Sequence, residues 1–169
     1  LTHQTDRPSA IGADTNGDII ITGDTYRGNA GYYDFVTIKY SRLGVPLWTN
    51  YYDHTNLFDQ AIALAVAPNG DVVVTGNSSG FGTSSDFATI RYSSSGIQLW
   101  VSRYNNFSNS LDEPAAVRVA ANGNIYVTGF SYFDGGIDSS DYVTVAYSGT
   151  GVALWTNYYN GPADYQDWA

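Results

Sequence analysis

The stretch NGDVVVTG at residues 69–76 recurs as NGDIIITG at 16–23 and as NGNIYVTG at 122–129, with a spacing of 53 residues each time. An Asn-Gly pair is the strongest short signal for a β-hairpin turn. The run that follows it is apolar without alternation, which indicates a strand covered on both faces. Three phased copies of one motif predict a tandem repeat.

Two more landmarks recur in the same order in every copy. An aspartate followed by an aromatic residue opens an alternating run, and a Leu-Trp pair follows a tight turn that ends in glycine. A short run of small residues, predicted at 9–14, 61–67 and 115–120, precedes each Asn-Gly turn, so each copy predicts four extended runs. We place the units at about 6–58, 59–111 and 112–166, with a fourth phase starting at 167–169.

Four strands joined by tight turns and repeated every ~50 residues are typical of the blades of a β-propeller. The composition agrees, because 15 tyrosines and 18 glycines in 169 residues favour short strands and turns over helices. We therefore predict an all-β fold in which three four-stranded antiparallel blades form part of a larger or oligomeric ring. A β-sandwich of repeated hairpins is the alternative. The recurring tryptophans are predicted to pack between blades: Trp48, Trp100 and Trp155.

Charge and composition exclude several classes of partner and chemistry. The formal net charge of -9 disfavours nucleic acids and anionic membranes. No apolar run reaches the ~20 residues of a membrane helix, so membrane insertion is not expected. The absence of cysteine excludes disulfides and thiolate chemistry.

No cofactor, metal or catalytic residue is predicted. The only two histidines, His3 and His54, lie near different inter-unit connections. Residues 14–18 resemble a Ca²⁺ loop but lack the glutamate that such a loop needs, so we predict a hairpin turn stabilised by its own aspartate. A structural hydrogen bond is predicted for the aspartates that recur at the start of the third run: Asp34, Asp86 and Asp141.

The repeat resembles the bacterial β-propeller repeat often called SBBP. The pattern of that family is an Asn-Gly turn, an apolar run into Val-Thr-Gly, an Asp-aromatic pair and Gly-x-x-Leu-Trp. It is matched in all three units, for example at 122–129 and 151–155, with Ile21 in place of the valine in the first unit. The resemblance covers nearly the whole chain and implies a propeller on secreted or cell-surface bacterial proteins. It implies no activity, and it places the chain outside the cell or on its surface.

Three blades are fewer than the four to eight of known propellers. The first and the last blade would each leave a sheet face without a neighbour. Residues 167–169 stop at the phase where residues 6–8 open the first unit. We therefore expect the ring to be closed either by further blades of a longer chain or by identical copies, two copies giving six blades and three giving nine.

The candidate binding residues lie in the loops that differ between units. The second-to-third loops and the inter-unit connections share one end of the predicted sheets, and variable loops on a rigid scaffold usually carry function. Aromatic residues there could stack on sugar rings or anchor a protein partner. The candidates are Tyr26, Tyr32, Phe58, Phe81, Phe107, Tyr132, Phe133 and Tyr165.

The leading hypothesis is a non-catalytic scaffold for binding or display, with a carbohydrate or a protein as ligand. Two alternatives stay open, namely part of a propeller enzyme such as a polysaccharide lyase or hydrolase, and a lectin-like carbohydrate-binding module. The loops lack a repeated aromatic-plus-polar set, which argues against one sugar site per blade. Two N-glycosylation sequons, at Asn77 and Asn106, matter only in a eukaryotic secretory pathway.

Overall fold

The structure, a computed structural model, describes residues 5–27, 32–133 and 140–162. Twelve strands and no helix occur in these residues, so no helix among them could span a membrane. The strands are β1 (Asp6–Ala13), β2 (Ile19–Tyr26), β3 (Tyr33–Tyr40), β4 (Pro46–Tyr52), β5 (Asp59–Val66), β6 (Val72–Ser79), β7 (Ser85–Tyr92), β8 (Gln98–Tyr104), β9 (Asp112–Val119), β10 (Ile125–Tyr132), β11 (Ser140–Tyr147) and β12 (Ala153–Tyr159).

The strands form three four-stranded antiparallel sheets, each made of four consecutive strands. We number them in chain order: sheet 1 is β1–β4, sheet 2 is β5–β8 and sheet 3 is β9–β12. The predicted all-β class and the four strands per unit are therefore confirmed. The first strand of each sheet begins two or three residues earlier than predicted, at an aspartate that pairs with the far end of the second strand.

The sheets pack face to face in succession. β5 contacts β1, β2 and β3, and β9 contacts β5, β6 and β7, so the first strands of the three sheets lie next to one another. Val72 and Val74 point into the core shared with sheet 1, whereas Val73 points into the core shared with sheet 3. All three valines are fully buried, which confirms the prediction of a strand covered on both faces.

A β-bulge explains the recurring Thr-Gly pair. Ala61 and Ala63 oppose consecutive residues of β6, so Ile62 is an extra residue and β5 bends toward Gly76. A Cβ added at Gly76 would lie 2.1 Å from the carbonyl oxygen of Gln60. The preceding Thr75 bonds through Oγ1 to Oγ1 of Thr89 at 3.1 Å. The same bulge and the same Thr–Thr bond occur in sheets 1 and 3.

Tryptophans of the fourth strands fasten each sheet to the next. Trp48 Nε1 donates to the carbonyl oxygen of Ser94 at 3.1 Å, and Asn50 Nδ2 donates to that of Gly96 at 2.7 Å. The Trp48 ring lies on Gly96, where an added Cβ would be 2.7 Å from Trp48 Cγ. We call this pair of bonds and the ring contact the clasp. Sheet 2 clasps sheet 3 in the same way, through Trp100 to Gly149 and Ser102 to Gly151.

The turn at residues 14–18 is stabilised by its own aspartate, as predicted. Asp14 Oδ1 accepts hydrogen bonds from the backbone N–H groups of Asn16 at 2.8 Å and Asp18 at 3.0 Å. The second oxygen, Oδ2, accepts from Lys39 Nζ at 2.8 Å. The hydrogen bonds and the Lys39 ammonium hold the pKa of Asp14 below its ordinary value, although burial, the largest single influence, acts to raise it.

Candidate binding surface

The two ends of the sheets differ in how much they vary. At one end, which we call the turn end, the turns between first and second strands share the same hydrogen bond in all three sheets, donated by the N–H of Gly17, Gly70 or Gly123. At the other end, the loop end, the segments between second and third strands are 27–32, 80–84 and 133–139, so they differ in length and sequence. Variation that could serve recognition is therefore concentrated at the loop end.

Two of the predicted loop residues are strand residues. Tyr26 and Tyr132 are the last residues of β2 and β10, because cross-strand pairing continues to Tyr33 and Ser140. Tyr132 is only 9 % exposed and its ring lies edge-on to Phe130. Placing both tyrosines in loops was therefore wrong, and Tyr132 has little surface to offer a ligand.

A first group of aromatic side chains lies at the loop end of sheet 1. The rings of Tyr26 and Tyr33 are 5.9 Å apart, and those of Tyr33 and Phe58 are 6.2 Å apart, both edge-on. The guanidinium of Arg7 lies 4.8 Å from the centre of the Tyr33 ring. Tyr26 and Phe58 are thus partly covered by their neighbours, while Tyr32 is exposed.

A second group lies at the loop end of sheet 3. The Phe133 ring lies 5.7 Å from Phe107 and 5.0 Å from Tyr158, and we call these three residues the aromatic patch. Phe107 is 82 % exposed. The hydroxyl of Tyr158 accepts a hydrogen bond from that of Tyr104 at 3.0 Å, which ties the patch to sheet 2.

Phe81 extends the exposed aromatic surface onto sheet 2. It is 79 % exposed and lies in the loop between β6 and β7. That loop contacts the connection that carries Phe107, because Ser84 N donates to the carbonyl oxygen of Asn109 at 3.3 Å. Tyr165, the last predicted candidate, lies outside the described residues, as does His3.

Three carboxylates meet where sheet 1 joins sheet 2. Asp34, Asp53 and Asp59 each bring an oxygen within 4.8 Å of the others. Burial raises the pKa of Asp59 to about 7, against the hydrogen bond that its Oδ2 accepts from His54 N at 2.8 Å. Burial, with the charge of Asp53, also raises the pKa of Asp34. The group can hold a proton near neutral pH, but three oxygens are half or less of the six to eight that Ca²⁺ takes.

Asp59 has a counterpart in each sheet, which indicates a structural role. Asp112 begins β9, accepts from Asn106 N at 2.9 Å and from the hydroxyl of Ser131, and its pKa is raised to about 6, mainly by burial. Asp6 begins β1 and accepts from the hydroxyl of Thr25 at 2.6 Å. Asp59 is also fully buried, so it cannot touch a substrate as a general acid must.

We expect Asp59→Asn to stabilise the chain above neutral pH. The carboxyl of Asp59 has an ordinary pKa of about 4 when the chain is unfolded and of about 7 when it is folded. Between these values the folded chain holds a proton that the unfolded chain has lost, so the free energy of unfolding falls as pH rises through this window. An asparagine keeps the acceptor for His54 N and carries no charge. Three pKa units correspond to about 4 kcal/mol, so we expect the stability of Asp59→Asn relative to the parent to rise by up to about 4 kcal/mol between pH 4 and pH 8.

Urea unfolding at a series of pH values measures this effect. Asp112→Asn is the matched control. The pKa of Asp112 is raised only to about 6, against about 7 for Asp59, so the gain of Asp112→Asn should be smaller. A loss of stability in Asp59→Asn at pH 8 would contradict the prediction.

Arg103, whose side chain makes several contacts at the loop end, was missed by sequence reasoning. Its Nη2 donates to Asp86 Oδ2 at 2.7 Å and to the carbonyl oxygen of Ser78 at 2.8 Å. Its Nη1 donates to the Tyr52 hydroxyl of sheet 1 at 3.4 Å. Sheets 1 and 3 have tyrosine at the equivalent position. The sequence signal for Arg103 was therefore a residue that departs from the repeat, not one that recurs.

Both sequon asparagines are buried. Asn106 is 4 % exposed, and its amide Nδ2 donates to Ser131 Oγ at 2.7 Å and to the carbonyl oxygen of Tyr132 at 2.5 Å. Asn77 is 7 % exposed within β6. A glycan on either side chain would require these contacts to be broken.

Comparison with known proteins leaves the question of family open. No family model matches the chain, and no curated protein is significantly similar to it. The likeness to the SBBP repeat therefore rests on the motifs alone, and it remains a prediction.

Proposed function

We propose that this chain is part of a β-propeller that serves as a binding scaffold and takes its ligand at the loop end. The observation that carries the proposal is the exposure of two phenylalanines, Phe81 and Phe107, on loops that touch each other and differ from their counterparts in the other sheets. Large exposed apolar side chains on rigidly held loops are a usual feature of recognition sites. The clasped, successively packed sheets supply the rigid support.

The surroundings of these rings favour a neutral, polar ligand. Asn105 Nδ2 donates to Asn109 Oδ1 at 2.7 Å beside Phe107, so amide groups flank the aromatic patch. Aromatic rings flanked by amides can stack on the C–H face of a sugar and bond to its hydroxyls, and they can also anchor a protein loop. The net charge of -9 agrees with a ligand that is not a polyanion. In the extracellular setting implied by the SBBP resemblance, glycans are the first class to test.

A hydrolase or lyase site receives less support. The carboxylates of Asp34, Asp53 and Asp59 lie close together, but the one whose pKa is raised to about 7 is fully buried. A binding scaffold needs no catalytic carboxylate.

We expect Phe107→Ser to weaken ligand binding at least about tenfold, because the ring that would stack on the ligand is removed. Phe81→Ser should have a smaller effect of the same sign. Ile97→Ser is the matched control, since Ile97 is 65 % exposed but lies at the turn end. All three variants should unfold within about 0.5 kcal/mol of the parent, because exposed side chains contribute little to stability.

A glycan array followed by calorimetry on its hits is the measurement, with a panel of glycosidase and lyase substrates beside it. Equal loss of binding in Phe107→Ser and Ile97→Ser would contradict a site at the loop end. If the chain turned over a polysaccharide and substitution of Asp34 or Asp53 abolished that turnover, the enzyme hypothesis would replace the scaffold hypothesis.

A further inference from the structure

The face of sheet 1 that points away from sheet 2 is built like a covered face but is open. It surrounds a concavity of about 220 Å³ whose lining includes Pro8, Ile21, Gly23, Val36, Ile38 and Tyr40. The residues at the same positions of sheet 2 are all buried beneath sheet 1: Ala61, Val74, Gly76, Ala88, Ile90 and Tyr92. We call this surface of sheet 1 the acceptor face, because in sheets 2 and 3 it receives the preceding sheet.

The far side of sheet 3 carries the complementary surface. Residues 154–159 have the sequence LWTNYY, identical to residues 47–52 of sheet 1. In sheet 1 this strand covers sheet 2, and Tyr52 is 9 % exposed. In sheet 3 no sheet within residues 5–27, 32–133 and 140–162 covers it, and Trp155 and Tyr159 are 44 % and 57 % exposed. We call this surface the donor face.

The turn that would receive the Trp155 ring is already formed. Gly44 has the same left-handed backbone as its counterparts, with φ of 79° against 87° for Gly96 and 85° for Gly151. A Cβ added at Gly96 or Gly151 would lie 2.7 Å from a tryptophan ring of the preceding sheet, whereas one added at Gly44 would meet no atom of the described part of the chain within 4 Å. The glycine and its backbone are thus in place without the ring that the other two glycines accommodate.

We propose that a second copy of this chain covers both faces, so that two chains close a two-fold ring of six sheets. Trp155 of each copy would lie on Gly44 of the other and donate to the carbonyl oxygen of Arg42, the counterpart of Ser94 and Gly149. Asn157 would donate to the carbonyl oxygen of Gly44, as Asn50 does to that of Gly96. Tyr40 would meet the Trp155 ring as Tyr92 meets Trp48, at 6.1 Å. This inference rests on the contacts between sheets and not on what the loop end binds.

Six sheets agree with the usual size of such rings. A head-to-tail contact closes into a ring when its rotation allows, and propellers contain about four to eight blades. Two copies fall within that range, and three copies, with nine sheets, fall outside it. Two donor-face positions of sheet 3 carry larger side chains than sheets 1 and 2: Tyr126, whose ring lies 5.9 Å from that of Trp155, and Arg118. Closure therefore requires the Trp155 ring to turn from its own sheet toward the partner.

Sedimentation velocity on the 169-residue chain is the first test. One chain has a mass of 18.3 kDa, and we expect twice that mass at micromolar concentration. The fluorescence maximum of Trp155 should shift to shorter wavelength as the chain dimerises, with Trp155→Phe identifying its share of the signal. The mass of a single chain or of three chains would overturn the proposal.

Two substitutions separate the faces. Trp155→Ala removes the donor ring. Gly44→Asn places a side chain where that ring would lie, and asparagine tolerates the positive φ of this position. Each should raise the dimer dissociation constant about 10- to 100-fold, as expected of a lost or overpacked core contact. Gly82→Asn is the matched control, because Gly82 also has φ of 79° and open space around it but lies at the loop end of sheet 2. It should dimerise like the parent.

Mixing the two variants provides a stricter test. A Trp155→Ala chain keeps its acceptor face and a Gly44→Asn chain keeps its donor face, so a mixed dimer contains one intact interface. The mixture should contain more dimer than either variant alone at equal total concentration. Dissociation constants that neither variant changes, or a mixture no better than its components, would overturn the proposal, with circular dichroism confirming that every variant is folded.

Discussion

Gly76→Ala is expected to destabilise the chain by more than about 3 kcal/mol, at or beyond the upper end of overpacking costs. The added methyl group would lie 2.1 Å from the carbonyl oxygen of Gln60 and 2.7 Å from both Ala61 Cα and Phe35 Cζ. Two of these contacts are with backbone, which cannot move aside without breaking the β5–β6 ladder. The third is with a fully enclosed ring of sheet 1. A domain with about 5 to 15 kcal/mol of total stability loses a large part of it.

Gly12→Ala is the control for this substitution. Gly12 is also a strand glycine, but an added Cβ would meet only the end of the Leu64 side chain at 2.8 Å and Val66 Cγ2 at 3.3 Å. Those side chains can shift, so we expect a loss below about 1 kcal/mol. Thermal and urea unfolding followed by circular dichroism compares the two variants. Similar losses would show that the bulge opposite Gly76 can relax, and would remove our explanation of the recurring Thr-Gly pair.

Arg103→Met is expected to cost about 3 kcal/mol. It leaves the Asp86 carboxylate, 4 % exposed, without its 2.7 Å partner, and a buried charge without a partner is strongly destabilising. It also removes the hydrogen bonds to Ser78 and to Tyr52 of sheet 1. Because Arg103 is itself partly exposed, we expect a value at the lower end of the range for buried pairs.

The double variant Asp86→Asn/Arg103→Met tests the reason for that loss. Removing the charge of Asp86 together with its partner should recover a large part of the stability, since the cost comes from the unpaired carboxylate. Arg118→Met, which removes an exposed arginine, should change stability by less than about 0.5 kcal/mol. A double variant no more stable than Arg103→Met would show that the lost hydrogen bonds, rather than the charge, carry the effect.

The sheets could be predicted because their signals are local and repeated. Each Asn-Gly turn specifies a hairpin, and the run Val72–Val74 specifies a strand covered on both faces. Each signal lies within a few residues, and its three copies reinforce each other. The strand ends could not be predicted in this way. The first strands begin at Asp6, Asp59 and Asp112 because pairing continues past the bulge, and a bulge depends on the register between two strands rather than on either alone.

The loop end was harder to predict, for a physical reason. Whether an aromatic side chain is available depends on what the neighbouring loop places on it, so Tyr132 is covered while Phe107 is exposed. The sequence criterion, an aromatic residue that does not recur between units, is met by covered and by exposed side chains alike. It therefore cannot distinguish them. Arg103 was overlooked because its partners come from three strands, two in its own sheet and one in sheet 1, and no sequence spacing records that meeting.

The clasp has a bearing on how such a chain can change over generations. Its two hydrogen bonds end on backbone carbonyl oxygens, of Ser94 and Gly96 in one case and of Gly149 and Gly151 in the other. Carbonyl oxygens are the same whatever side chain is attached, and the only side-chain requirement is a glycine under the ring. A duplicated or transposed unit can therefore form these two bonds with a neighbour that has this glycine and packs against its face. Gene segments encoding single units can then multiply or exchange places with the clasp preserved, and the loops are left to diverge independently.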